Sequence, residues 1–141
     1  MLVDQMLSRI EFIHNRNFIL RDVKPTHFSM GLGTNAHLVY IIDLSLAKRY
    51  IDPTTGLHIP FINRKSFTGT AGYASINTHF GNEQGRRDDI ESLGYILVYF
   101  MQGKLPWQVK AKNNENLYDK IKEIKIKTSL DMIIYIIYYR K

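Results

Sequence analysis

Two carboxylates and a lysine, set between apolar runs, constrain this chain more than any other feature. Arg21-Asp22-Val23-Lys24-Pro25 follows one apolar stretch, and Asp43 closes another, Leu38 to Asp43. Upstream, Leu2, Met6, Ile10 and Ile13 recur at helical spacing and predict a helix over residues 2–15. It starts beside Met1 with no capping residue before it. Short β-rich pieces are predicted at 18–20, 28–30 and 37–42. Gly31-Leu32-Gly33-Thr34-Asn35 is a turn signal, so the last two pieces predict a small hairpin. An isolated R-D-x-K stretch reads most simply as a surface ion pair. Pro25, the β-rich run and Asp43 at its end argue against that simple reading.

Residues 48–87 are rich in Gly, Pro, Thr and Asn and weakly periodic. They predict a long loop, and loops of that length in a compact domain are usually functional. A helix is predicted from about Asp88, with Asp88 or Asp89 as cap. Ile90, Leu93, Ile96, Leu97, Phe100 and Met101 lie on more than one side of it and predict burial all round. Gly103, followed by Pro106, predicts its end. Leu117, Ile121 and Ile124 predict a further amphipathic helix with a lysine-rich outer face. For Met132 to Tyr139 the pattern leaves helix and strand equally open.

The length of 141 residues fits one ordinary domain, and a hydrophobic content of 45% argues against disorder of the whole. The formal charge of +6 permits acidic partners but equally describes a basic, solvated surface. The chain has no cysteine, which excludes a disulfide framework and thiolate metal sites. That composition suits a reducing compartment, and a cytoplasmic or nuclear location is expected. Asp4 and Arg9 interrupt the first apolar stretch, so no signal peptide is expected. No apolar run approaches the roughly 20 residues of a spanning helix, so no membrane span is expected.

The spaced motifs carry a specific resemblance. Arg21, Asp22 and Lys24, then Asp43, fit the protein-kinase pattern H-R-D-x-x-x-x-N and D-F-G. The chain resembles the casein kinase 1 family of serine/threonine protein kinases. Asp4-Gln5-Met6, Arg21 to Pro25, Met30 to Gly33, His58-Ile59-Pro60 and Thr68 to Ala71 carry the likeness. So do Tyr73 to His79, whose Ser75-Ile76-Asn77 stands where most kinases have A-P-E, and Arg86 to Asp89. Glu91 to Tyr95 and Leu105-Pro106-Trp107-Gln108 complete it.

The resemblance implies a mainly α fold with a small β-hairpin region, the large lobe of a kinase with its small lobe absent. Residues 1–127 would be the partial kinase domain and 128–141 a divergent tail. It implies Asp22 as catalytic base, Lys24 facing the phosphate and Asp43 as the Mg²⁺ ligand. Thr70 would tie the substrate loop to Asp22 and Lys24. Arg21 and Asp89 would support the catalytic loop, with N-capping the alternative for Asp89. ATP and Mg²⁺ are the implied cofactors, and acidic or already phosphorylated proteins the implied substrates. Nucleic acid is not expected, since the lysines follow no aromatic stacking pattern.

The departures are as informative. Leu20 replaces the motif histidine, and Leu44-Ser45 replaces Phe-Gly. Two leucines could keep an apolar contact, while Ser45 lacks the backbone freedom of glycine. His27 stands at the metal-binding asparagine and offers imidazole, a poor ligand for Mg²⁺. Gly72 stands where the family has an anion-binding arginine, and Leu117 at a second basic position. Lys110 and Lys112 are possible substitutes. No G-x-G-x-x-G and no V-A-I-K occurs in the chain. The sequence therefore predicts a kinase-like unit inactive by itself. The alternatives are part of an active kinase with further upstream sequence, or a binding module for acidic proteins.

Overall fold

A computed structural model describes residues 1–108, 116–129 and 131–133. The element order begins with helix α1 (Leu2–His14), then strands β1 (Phe18–Ile19), β2 (Phe28–Met30), β3 (Val39–Ile41) and β4 (Lys48–Arg49). Helices α2 (Ile76–His79), α3 (Arg86–Gln102) and α4 (Leu117–Lys127) follow. The strands form two antiparallel pairs, β1 with β4 and β2 with β3. The hairpin is in register Phe28 to Ile41 and Met30 to Val39.

Met6, Ile10 and His14 are the buried residues of α1, each one helical turn plus a little apart. Met6 and Ile10 join Leu20, Val23, Val39, Leu93 and Ile96 in one apolar cluster. Burying each such side chain stabilises by about 1.5–3 kcal/mol. Polar bonds fix the helix against the hairpin edge. The Gln5 amide donates to the His37 carbonyl at 2.9 Å and accepts the Val39 N–H at 2.9 Å. Arg9 Nε donates to the Val39 carbonyl at 2.9 Å.

The central helix α3 serves two cores. Leu93 and Ile96 face the first cluster, while Tyr95 and Val98 join Leu105, Trp107 and Ile121 in the second. Burial is not all round, as the pattern predicted. Ile90, Phe100 and Met101 are 42, 46 and 59% exposed. The helix also starts earlier than predicted. Gly85 is its N-cap, and Asp88, at the third helical position, accepts the Gly85 N–H at 2.7 Å. Gly103 ends it in the left-handed region at φ 70°.

The segment predicted as one loop carries short structure. It holds β4, a bridge between Ile51 and His58, and α2. Ser75 caps α2, accepting the Thr78 N–H at 3.0 Å and donating to Asp88 at 2.5 Å. In α4 the predicted outer face is interrupted, because Lys125 is buried beside Ile121. No helix among the described residues is long and apolar enough to cross a membrane. Lys110, Lys112 and most of Met132 to Tyr139 lie outside the described residues.

Candidate functional site

The turn after β1 is built around a carboxylate from α3. Asp89 is 1% exposed and does not cap its own helix, whose N-cap is Gly85. Its Oδ2 accepts the Leu20 N–H at 2.8 Å and its Oδ1 the Arg21 N–H at 2.9 Å. His14 Nε2 lies 2.7 Å from Oδ2. These bonds hold Arg21 at φ 66°, a left-handed conformation uncommon for any residue but glycine. Arg21 Nε then donates to the Leu46 carbonyl at 2.7 Å, tying the turn to the chain after Asp43.

The next residue begins a closed ring. Thr70 Oγ1 donates to Asp22 Oδ1 at 2.6 Å. Lys24 Nζ lies 2.9 Å from Asp22 Oδ2 and donates to Thr70 Oγ1 at 3.1 Å. Thr70, more than forty positions away, thus fixes the neighbouring Asp22 and Lys24 side chains. The close approach depends on Gly69, at φ 111°, where a Cβ would stand 2.6 Å from the Arg21 carbonyl oxygen.

His27 closes a 3-10 turn, Pro25–His27, below the ring. Its Nδ1 must donate to the Asp22 carbonyl, 2.9 Å away, because a carbonyl only accepts. Its Nε2 therefore points to the carboxylates, 3.2 Å from Asp43 Oδ2 and 3.8 Å from Asp22 Oδ2. Asp43 Oδ1 accepts the Ser45 N–H at 2.8 Å. The Ser45 backbone and hydroxyl, with the nearby His27 and Lys24 charges, hold the Asp43 carboxyl below its usual range. Ser45 makes this turn without positive φ. Leu20 is buried in the first core, whereas Leu44 is 55% exposed.

Beyond the ring, Gly72 gives its carbonyl to Trp107 Nε1 at 2.6 Å. Open space surrounds the position of a Gly72 Cβ. Leu117 is 37% exposed. A polar cleft of about 320 Å³ lies between Arg21, Arg64, Lys65 and Glu83. Burial would raise Glu83, but Lys48 at 2.9 Å and Lys65 at 3.2 Å outweigh it and hold its carboxyl low. Sequence reasoning passed over Glu83 and His14. The spacing of Met6, Ile10 and His14 was the available signal for the second.

A family model described as protein kinase domain matches residues 1–135. The chain belongs to the protein kinase domain family. Kinase domains use ATP and Mg²⁺, so the site's donors can be tested for that ion. Mg²⁺ takes oxygen ligands at about 2.0–2.1 Å in an octahedron. Here Asp43 and Asp22 offer carboxylates, and His27 Nε2 stands against both, 3.2 Å from Asp43 and 3.8 Å from Asp22. Among the described residues no group of three His, Cys, Asp or Glu side chains is arranged to hold a metal ion. Among the described residues, the imidazole beside Asp43 is a poor match to the oxygen ligands that Mg²⁺ takes. For ATP, Lys24 is the cation held in the ring, while the chain has no glycine-rich phosphate loop.

Proposed function

We propose that this kinase domain is a casein-kinase-1-like large-lobe unit that does not transfer phosphate by itself. Its substrate side is organised and its metal side is altered. The observation that carries the reading is His27 Nε2 lying 3.2 Å from Asp43, beside an intact Asp22–Lys24–Thr70 ring. In a competent centre Asp22 would accept the proton of the attacking hydroxyl and Lys24 would offset phosphate charge. Positioning both reactants supplies about 7–11 kcal/mol of such catalysis. A nucleotide without its metal and covering loop lacks that contribution.

The expected protein contacts are acidic or phosphorylated proteins in the cytoplasm or nucleus. Incubating the chain with ATP, Mg²⁺ and an acidic or phosphoserine-containing peptide tests the reading. The expected result is no transfer above that of Asp22→Asn. Transfer that Asp22→Asn abolishes would overturn it.

The same ring favours one second reading, a catalytic kinase whose nucleotide-covering parts come from further sequence. An in-frame glycine loop and lysine upstream of Met1 would support that reading. The binding-module reading is weakened by the use of the α4 lysines. Lys125 is buried, Lys122 lies over Phe80, and Lys127 pairs with Glu123.

A further inference from the structure

Lys125 is a buried amine that the proposed centre does not use. It is 1% exposed, on the inner face of α4. Its Nζ donates to the Ala74 carbonyl. The same nitrogen lies 4.4 Å from the Tyr95 ring centroid and 5.0 Å from that of Trp107. Glu91 is the nearby carboxylate, but its Oε1 already accepts the Ile76 N–H at 2.8 Å and the Tyr95 hydroxyl at 2.5 Å. Burial, only partly offset by Glu91, pulls the Lys125 ammonium down to about 7.

Lys125 also lines a cleft of about 510 Å³, a size typical of small-molecule sites. Tyr95, Val98, Trp107 and Ile133 make most of its wall apolar. A lysine amine in an apolar pocket is the arrangement that activates this side chain as a nucleophile. A lysine serving only as a strut would need the carbonyl and the two rings, but no cleft beside it.

We propose that the cleft admits small apolar aldehydes and that Lys125 condenses with them. The Nζ lone pair adds to the carbonyl carbon. The carbonyl oxygen collects both Nζ hydrogens and leaves as water, so that a C=N bond remains. The reaction reverses on hydrolysis and needs no oxidant or reductant.

The test treats the full chain with benzaldehyde at neutral pH and traps the imine with cyanoborohydride. Peptide mapping then follows the benzyl adduct at each lysine with time. Lys125 is expected to react at least about tenfold faster than any other lysine. Glyoxylate, small but charged, is expected to show no such preference. Lys125→Met removes the fast adduct. Gly94→Leu provides a second variant that keeps Lys125. Gly94 lines the cleft on α3, with open space at its Cβ position, and leucine favours a helix over glycine. It is expected to slow benzaldehyde at Lys125 and leave the surface lysines unchanged. Modification of Lys125 at the surface rate, or an unchanged rate in Gly94→Leu, would overturn the proposal.

Discussion

Asp89 and Gly69 show how single residues shape the site from opposite sides. Asp89 accepts two backbone N–H groups and faces His14, all with almost no solvent. Asparagine would turn an NH₂ group toward one of those donors and remove the charge. Asp89→Asn is expected to destabilise by about 3 kcal/mol, read as a lower thermal midpoint. Gly69→Ala is expected to destabilise by about 1–3 kcal/mol, because its Cβ meets the Arg21 carbonyl at 2.6 Å and its φ is 111°. Gly72→Ala is the control, expected to lie within about 0.5 kcal/mol, since its Cβ position is open. The same space should accept arginine. Gly72→Arg is expected to tighten binding of a phosphoserine-containing peptide, and equal affinity in titration calorimetry would count against a casein-kinase-1-like anion site. Asp22, Lys24 and Asp43 stood out in the sequence because charge between apolar runs is conspicuous. Glu83 did not, since its partners Lys48 and Lys65 lie 35 and 18 positions away and only folding joins them.

At the scale of elements, the start of α3 rests on a side chain inside the helix. Asp88 accepts bonds from Gly85, Ser75 and Asn77, so one carboxylate joins the starts of α2 and α3. Ser75→Ala removes the α2 cap and one of those bonds. It is expected to cost about 1–2 kcal/mol in a denaturant melt, and a neutral result would show the cap to be dispensable. The sequence located α3 and its glycine stop well. It placed the start too late because an Asp at the third helical position and an Asp at the N-cap look alike in one dimension. It also predicted burial all round, since composition reports how apolar a helix is but not how many neighbours it has. The hairpin was legible from its turn and β-branched flanks. The short β4 and α2 were not, because elements of two and four residues are held by tertiary bonds rather than by propensity.

For the molecule as a whole, buried basic groups set the expected response to acid. His79 Nε2 donates to the Ala71 carbonyl at 3.0 Å, since a carbonyl only accepts. Burial, then the Lys125 charge, lowers it from 6.5 to about 4, with Lys122 adding to the effect and Ala71 opposing it. A histidine depressed by folding binds its proton more readily when unfolded. Its contribution is therefore intact above pH 6.5 and lost as pH falls toward about 4. Melts across that range are expected to show a falling midpoint, with a shallower fall in His79→Gln. Equal slopes in the two proteins would remove His79 as the cause.

The sequence by itself determined the chemistry on offer: a kinase-like set of acids and a lysine, a histidine where the kinase motif has asparagine, and the main helices. Those follow from residue identity and short-range periodicity. Only the tertiary structure decided that Thr70 closes the ring on Asp22, that Asp89 serves the turn rather than its own helix, and that Lys125 is buried. Each depends on contacts between residues about fifty or more positions apart, which no local pattern encodes.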